Sequence, residues 1–305
     1  MMDENIQYTF AFLGGDRRQA VVAEKLIERG HAVKLFGLGG LAASINSAEI
    51  CSTPEKAISG SDFIILPLPV SKDKINLALT SEPSAPAISL SDIAELAAKY
   101  GCRYIIGGII PPEIVRIANL KGIQTLDFYV EESFQRKNAL PSAEGAIMLA
   151  MEHTEKNIDG MNALISGYGR IGTCLASLLK KLGAKVTVAA RSDEALCEAA
   201  MSGYQVMRID GYGNVLANAA EKADVIFNTV PAVIFSKTVL DKMNCYPLYI
   251  EIASVPGGID VSKAREKGMR VIFAPSIPGK YAPVSAGEYI YETVCDILNK
   301  EGITL

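Results

Sequence analysis

The stretch Asn162-Ala-Leu-Ile-Ser-Gly-Tyr-Gly-Arg-Ile-Gly172 decides the fold of the chain. Its apolar run is typical of a buried strand, and its three glycines have the spacing G-x-G-x-x-G. A helix with leucines at helical spacing follows and ends at Gly183, and residues 184–190 form a second, β-branched strand. A dinucleotide-binding turn requires this order of strand, turn, helix and strand. We therefore predict a Rossmann-type domain that binds its cofactor on this turn.

Each position of the turn has a predicted role. Gly167 permits the tight turn, Gly169 lets the backbone approach the pyrophosphate, and Gly172 allows close packing of helix and strand. Arg170 and Ile171 lie between these glycines, where the helix N-terminus presents N–H groups to the phosphates. We expect the Arg170 side chain either to contact the pyrophosphate or to remain in solvent.

The beginning of the chain repeats this plan. A strand at residues 8–13 leads into Gly14-Gly-Asp-Arg-Arg18, a helix that ends at Gly30, and another strand. Residues 60–69 also match residues 222–231 in pattern. The fold class is therefore α/β, with two doubly wound Rossmann-like domains. The first domain lacks the full glycine pattern, so we expect its turn to bind something other than a dinucleotide.

The predicted domains are a substrate domain at 1–140, completed by a C-terminal helix at 283–305, and an NADP-binding domain at 141–282. The second begins with a connecting helix at 141–154, for which Ser142 is the predicted N-cap. We expect two helices to cross between the domains and frame a cleft in which substrate meets cofactor. Further predictions are a strand at 86–89 and a loop at 275–283.

The end of the second cofactor-domain strand favours NADP over NAD. An NAD protein usually has an acid there, which binds the ribose 2′-hydroxyl. This strand ends in Arg191-Ser192, which suits a 2′-phosphate, and its first acid is Asp193. The alternative is that Arg191 is a solvated residue and Asp193 makes an NAD contact. On the nicotinamide side, we predict that Thr229, Val230 and Pro231 line the pocket.

Composition limits the other possibilities. A net charge of -4 argues against a nucleic-acid surface, and no apolar run is long enough to span a membrane. The six cysteines form no C-x-x-C pair and no cluster with histidine, so we expect reduced thiols and no metal site. The acidic amino terminus, residues 1–5, is unlike a signal peptide, so we expect a cytoplasmic protein. A homo-oligomer is compatible with the sequence.

The chain has two histidines, and none follows His153. A hydroxyacid dehydrogenase usually needs a late histidine as its acid and base, so we favour another proton acceptor. Glu144 and Lys280 are the candidate catalytic residues, and His153 is a weaker one.

Anion-binding groups are frequent around the predicted cleft. Arg17 and Arg18 stand at a helix N-terminus, where cations oppose the helix dipole unless an anion is bound. With Ser142 and Ser285, which are both predicted at helix starts, they form a candidate site for a small dicarboxylate. The alternative for the two arginines is a solvated helix start.

The chain resembles the A subunits of dipicolinate synthase from spore-forming bacteria. The resemblance covers the whole chain and is carried by residues 13–19, 141–154, 165–172 and 251–258. The first two segments are fairly specific to that family, whereas the other two are shared with many dehydrogenases.

The resemblance implies oxidation of dihydrodipicolinate to dipicolinate with NADP in the mother cell during sporulation, together with a smaller, flavoprotein-like B subunit. The proton acceptor would be Glu144, Lys280 or water, and the true substrate would be dihydrodipicolinate or its hydroxylated precursor. Two alternatives remain: a 2-hydroxyacid or amino-acid dehydrogenase, and a non-catalytic nucleotide-sensing protein.

Overall fold

The computed structural model describes residues 6–211 and 213–305, and the acidic amino terminus at 1–5 lies outside them. The described chain forms two compact units. The first unit comprises residues up to Gln135 together with Pro283–Leu305, and the second comprises Arg136–Ala282. The first boundary falls inside a helix, whereas the sequence-based boundary follows residue 140.

Each unit contains a parallel sheet of six strands in the described residues. The first has the order β3-β2-β1-β4-β5-β6, and the second has the order β12-β11-β10-β7-β8-β9. Both faces of such sheets are covered by helices, so their central strands are apolar throughout. The strands are β1 Thr9–Leu13, β2 Ala32–Phe36, β3 Glu49–Ile50, β4 Phe63–Ile65, β5 Tyr104–Gly107, β6 Gln124–Asp127, β7 Asn162–Ser166, β8 Lys185–Ala190, β9 Gln205–Arg208, β10 Val225–Asn228, β11 Leu248–Glu251 and β12 Val271–Phe273.

The helices connect these strands and cover the sheets. They are α1 Arg17–Glu28, α2 Pro54–Ile58, α3 Leu90–Lys99, α4 Pro112–Leu120, α5 Glu132–His153, α6 Arg170–Lys181, α7 Asp193–Met201, α8 Asn214–Lys222, α9 Lys237–Lys242, α10 Val261–Glu266, α11 Ile277–Tyr281 and α12 Pro283–Lys300. The two parallel six-stranded sheets with their helices confirm the predicted α/β class with two Rossmann-like halves.

Two close approaches between helices depend on glycine. At Gly287, α12 touches α1, because an added Cβ would lie 2.7 Å from the Arg18 carbonyl oxygen. In the second unit, a Cβ at Gly145 of α5 would lie 2.3 Å from Ile277 Cγ2 of α11. The absence of a side chain therefore lets both helix pairs pack this closely.

Three local predictions were wrong. The connecting helix begins at Glu132 rather than at Ser142 and continues through Pro141. The predicted loop at 275–283 contains α11, because Ile277 is buried against α5. Residues 86–89 are not a strand: Ser89 forms an isolated bridge with Asn76 and then caps α3.

Candidate functional site

The G-x-G-x-x-G turn joins β7 to α6 and has the geometry that its glycines predict. Gly167 has φ +94°, a conformation that favours glycine, and its N–H donates to the Ala189 carbonyl at 2.8 Å. An added Cβ at Gly172 would lie 2.3 Å from the Gly167 carbonyl oxygen, so only glycine fits this close approach of helix to turn. The first and third glycines therefore fix the shape of the turn.

Gly169 has a different environment. It is the N-cap of α6, and no side chain caps the helix there. A Cβ at Gly169 would meet no heavy atom of the described chain within 4 Å. The turn therefore leaves an open space beside the helix N-terminus, where N–H groups and the helix dipole favour a phosphate. The residues present fit a dinucleotide pyrophosphate.

The segment 229–231, which is predicted to line the nicotinamide pocket, is fixed by buried polar groups. Asn228 is fully buried, and its side chain accepts from the Val230 N–H at 3.2 Å and donates to the Val230 carbonyl at 2.9 Å. The Thr229 hydroxyl donates to the Ser166 carbonyl at 2.9 Å. These bonds fix the backbone of residues 229 and 230 next to the glycine turn.

Glu251 at the end of β11 extends this support. The carboxylate is 4% exposed and accepts from Asn228 Nδ2 at 2.6 Å and from the Gly258 N–H at 2.7 Å. The Ala253 N–H and the Tyr249 hydroxyl donate to it at 3.1 and 3.3 Å. Burial and the neighbouring Glu251 carboxylate raise the pKa of Tyr249, so its phenol remains a donor.

Neither Asn228 nor Glu251 is among the predicted site residues. The signal in the sequence is a polar residue that ends an otherwise apolar strand, as in Val225-Ile-Phe-Asn228 and Leu248-Tyr-Ile-Glu251. Parallel strands place such residues at the carboxyl edge of the sheet, where ligands of doubly wound folds bind.

At the end of β8, Arg191 and Ser192 are exposed. The Ser192 hydroxyl oxygen accepts from the Ala195 N–H at 3.3 Å and so caps α7. The carboxylate of Asp193 forms an ion pair with Arg208 of β9. Arg208 is a further cation at this corner that sequence reasoning missed.

The turn at Gly14 and Gly15 in the first unit is covered by residues 77–82 of the same unit. Ser81 donates to the Gly15 carbonyl from both its N–H, at 3.2 Å, and its hydroxyl, at 2.8 Å. A Cβ at Gly37 would lie 2.7 Å from Leu79 Cδ2. Residues 77–82 therefore lie on the turn that corresponds to the cofactor turn of the second unit, and they leave no comparable open space at it.

The two arginines of the first turn have partners. Arg18 is 5% exposed, and its guanidinium pairs with Asp16 at 2.7 Å and donates to the Leu68 carbonyl at 2.6 Å. Arg17 is more exposed and pairs with Glu24 at 2.8 Å. Asp16 also caps α1 in a capping box with Gln19, so a side chain already meets the first N–H groups of this helix.

Two features of this corner still suit a carboxylate. Ser285 lies in the first turn of α12. This helix contacts α1 at Gly287. Gln19 is 1% exposed, and its Nε2 has no hydrogen-bond partner within residues 6–211 and 213–305. A buried donor without an acceptor is costly, and a bound anion would satisfy it.

Ser142 does not have the predicted environment. It lies inside α5, is 5% exposed, and its hydroxyl donates to the Asn138 carbonyl at 2.8 Å. The predicted helix N-terminus at Ser142 is therefore wrong, because α5 is already continuous by this point.

The candidate proton acceptors lie on two helices of the second unit. Glu144 is exposed on α5, and Lys280 is exposed on α11, which packs against α5 at Gly145. Burial and, after it, the negative charge of Glu144 raise the pKa of Cys174 in α6, so the carboxylate lies within electrostatic range of the helix that follows the glycine turn. Glu144 is thus close to the helix that begins at the cofactor turn.

Each of the two histidines has a polar partner for its ring Nδ1. The backbone N–H of Tyr8 donates to His31 Nδ1 at 3.3 Å, and burial, followed by the charge of Arg29, lowers the pKa of His31. At the end of α5, His153 Nδ1 lies 3.1 Å from Arg270 Nη2.

A cavity of about 430 Å³ lies against α8 at the amino ends of β7 and β9, away from the glycine turn. Within residues 6–211 and 213–305, no three His, Cys, Asp or Glu side chains are grouped as metal ligands would be. No helix in this part of the chain has the length and apolar content needed to cross a bilayer.

Family models of known proteins match a part of each of the two units. Residues 9–129 match the N-terminal domain of dipicolinate synthase A subunits, and residues 143–274 match the NAD-binding domain of S-adenosyl-L-homocysteine hydrolase. The second unit is therefore a nicotinamide dinucleotide-binding domain of the Rossmann type.

Whole-chain relatives agree with the domain matches. The dipicolinate synthase A subunit of Bacillus subtilis is 29% identical over 293 residues, which cover 94% of this chain and 95% of the relative. The crystal structure of the A subunit from Bacillus halodurans is 27% identical, has a TM-score of 0.83, and the match covers 95% of this chain and 97% of that one. A transhydrogenase from Sinorhizobium meliloti has a TM-score of 0.67 at 15% identity, over 96% of this chain and 94% of that one, which shows a shared fold alone.

Proposed function

Because the chain belongs to the family of dipicolinate synthase A subunits, we propose that it oxidises dihydrodipicolinate to dipicolinate with NADP as hydride acceptor. The observation that carries the proposal is the open space at Gly169, beside an α6 N-terminus that no side chain caps. The balanced reaction converts dihydrodipicolinate and NADP⁺ into dipicolinate, NADPH and one proton. Formation of the aromatic pyridine ring drives it forward.

In this proposal, the residues of the second unit bind and orient the cofactor. The backbone of Gly167 to Gly172 binds the pyrophosphate, and Arg191 with Ser192 binds the 2′-phosphate. Thr229, Val230 and Pro231 line the nicotinamide side, where Asn228 and Glu251 hold their backbone in position. A bound NADP supplies the hydride acceptor.

Substrate binding is assigned to the first unit. We assign the substrate carboxylates to Arg17 and Ser285, which lie at the beginnings of two adjacent helices. Arg18 supports this turn from within, through its bonds to Asp16 and to the Leu68 carbonyl.

The ring must also lose a proton. We assign its removal to Glu144, with Lys280 and water as the other candidates. Glu144 is exposed and its charge acts on Cys174 of α6, so a carboxylate is available in the region of the helix assigned to the cofactor. Because aromatisation supplies much of the driving force, a weak base is sufficient.

The proposed partner is the B subunit of dipicolinate synthase, since the relatives are named as A subunits. The proposed location is the cytoplasm of the mother cell, during sporulation. The purified chain is tested with and without the B subunit for NADPH formation at 340 nm from NADP and dihydrodipicolinate. NADPH from the chain alone supports the proposal, whereas NADPH only from the mixture favours the nucleotide-sensing alternative or an active site shared with the B subunit. Turnover of 2-hydroxy acids or amino acids instead would favour another dehydrogenase.

Arg17→Gln is expected to raise the KM for the dicarboxylate about 10-fold and to leave the Kd for NADP within about 2-fold of wild type. The reason is that a charge-assisted bond to substrate is lost, whereas the cofactor turn lies in the other unit. Steady-state kinetics and calorimetric titration with NADP measure the two effects.

The matched control is Arg116→Gln, an exposed helical arginine of the same unit that pairs with Glu113 as Arg17 pairs with Glu24. Equal KM values for the two variants would remove Arg17 from the substrate site.

A further inference from the structure

Arg208 ends β9, which is the edge strand of the second sheet among the described residues. The parallel register pairs Arg208 with Ala190, the last residue of β8, and the Ile209 N–H donates to the Ala190 carbonyl at 2.9 Å. The residue that follows β8 is Arg191. The sheet therefore brings two arginines, separated by seventeen positions in sequence, to one corner.

The guanidinium of Arg208 is directed towards this corner by two contacts. Nη1 donates to the Arg191 carbonyl at 3.0 Å, and Nη2 pairs with the Asp193 carboxylate. Both side chains remain open to solvent, with exposed fractions of 53% for Arg208 and 87% for Asp193. A planar guanidinium that is oriented by backbone but still exposed is well suited to bind a phosphate.

The same ion pair bears on the alternative role of Asp193. An acid that selects NAD must offer its oxygens to the ribose hydroxyls. The Asp193 carboxylate instead binds Arg208, and the neighbouring Ser192 hydroxyl, which accepts from the Ala195 N–H, still has its own proton to donate. The corner thus offers the Arg208 guanidinium, the exposed residue Arg191 and a hydroxyl donor at the strand end where a ribose would bind.

We propose that Arg208 is a specificity-determining residue that binds the 2′-phosphate of NADP together with Arg191. In this assignment Asp193 holds the Arg208 guanidinium beside Ser192 and competes with the phosphate for it. The inference rests on the NADP dependence in the proposed function and extends it to a residue on a different strand.

The test is calorimetric titration of the full-length chain with NADP, NAD, 2′,5′-ADP and 5′-AMP. Arg208→Gln is expected to raise the Kd for NADP and for 2′,5′-ADP about 10-fold. The Kd values for NAD and 5′-AMP should stay within about 2-fold of wild type. Asp193→Asn is expected to have the opposite effect and to tighten 2′,5′-ADP, because a competing carboxylate is removed. Lys185→Gln, which removes a positive charge at the amino end of β8, is the matched control.

Two results would overturn the inference: an equal loss of NAD and NADP affinity in Arg208→Gln, or a loss no larger than in Lys185→Gln. Weaker 2′,5′-ADP binding by Asp193→Asn would contradict the competing role of Asp193. If the wild-type chain itself binds 5′-AMP as well as 2′,5′-ADP, the NADP assignment of the proposed function fails too. If the wild-type chain binds 2′,5′-ADP more tightly than 5′-AMP, and Arg208→Gln does so to the same degree, only the role of Arg208 fails.

Discussion

Glu251→Ala is expected to lower the free energy of unfolding of the second unit by roughly 3–5 kcal/mol. The carboxylate is 4% exposed and accepts hydrogen bonds from Asn228, Tyr249, Ala253 and Gly258. Its removal leaves several buried donors without an acceptor, and each costs about 1–3 kcal/mol before the structure relaxes. We therefore expect the Tm to fall by roughly 10 °C.

The loss should be greatest near the cofactor. Asn228, which donates to Glu251, fixes the backbone of Val230, a residue that we assign to the nicotinamide side. Hydrogen exchange of the intact chain should therefore become faster at residues 225–258 and remain unchanged in the first unit. Glu251→Gln keeps the size of the side chain but presents an amide to some of these donors, so we expect an intermediate loss.

The control is Glu266→Ala, which removes a carboxylate of the same unit that is 64% exposed and paired with Lys263. Lys263 keeps its second ion pair, with Asp241 at 2.8 Å, when Glu266 is removed, so this variant should unfold close to the wild-type temperature. A Tm for Glu251→Ala as high as that of Glu266→Ala would contradict the role given to the buried network.

Alanine at Gly169 and alanine at Gly172 are expected to have different effects. A Cβ at Gly172 would lie 2.3 Å from a backbone oxygen, so Gly172→Ala should destabilise the second unit by roughly 3 kcal/mol and abolish cofactor binding. Gly169 has φ -88° and ψ -161°, which any residue adopts, and a Cβ there meets no heavy atom of the described chain within 4 Å. Gly169→Ala should therefore fold normally.

The methyl group of Gly169→Ala occupies the space assigned to the pyrophosphate, so we expect the Kd for NADP to rise at least about 10-fold. The Tm without cofactor should stay within about 1 °C of wild type, and the stabilisation by added NADP should be smaller. Thermal melts with and without NADP measure both effects. Wild-type NADP binding by Gly169→Ala would show that the dinucleotide does not approach this turn.

The cofactor half of the molecule is predictable from sequence because its signals are local. A buried strand, a glycine turn and a helix lie within residues 162–181, and the spacing of the glycines alone gives their roles. The geometry of Gly167 and Gly172 agrees with these roles, since each position meets its neighbours too closely for a side chain.

The start of α5 was mispredicted for a physical reason. Ser142 after Pro141 is a typical helix beginning, because a serine N-cap accepts from the first N–H groups and proline is disfavoured inside a helix. In the fold, Phe134 is fully buried in the core of the first unit, and this packing supports a helical turn before Pro141. Tertiary packing therefore outweighs the local signal.

The predicted substrate residues could be read from the sequence only in part. The charges of Arg17 and Arg18 can be read from the sequence, but their partners cannot. The fold gives Arg18 a buried pair with Asp16 and a bond to the Leu68 carbonyl, fifty positions away. Arg208 was missed for the same reason, since only the register between β8 and β9 brings it to Arg191.

The most direct test of NADP-dependent oxidation by this chain is the stoichiometry of a single reaction of the purified protein, kept free of oxygen because dihydropyridines oxidise in air. NADPH at 340 nm and dipicolinate, separated by chromatography, are measured after dihydrodipicolinate is added with NADP or with NAD. We expect equal amounts of NADPH and dipicolinate with NADP, a much slower reaction with NAD, and little NADPH from Gly169→Ala. Dipicolinate that forms at the same rate without NADP, or with the wild-type rate in Gly169→Ala, would contradict this expectation.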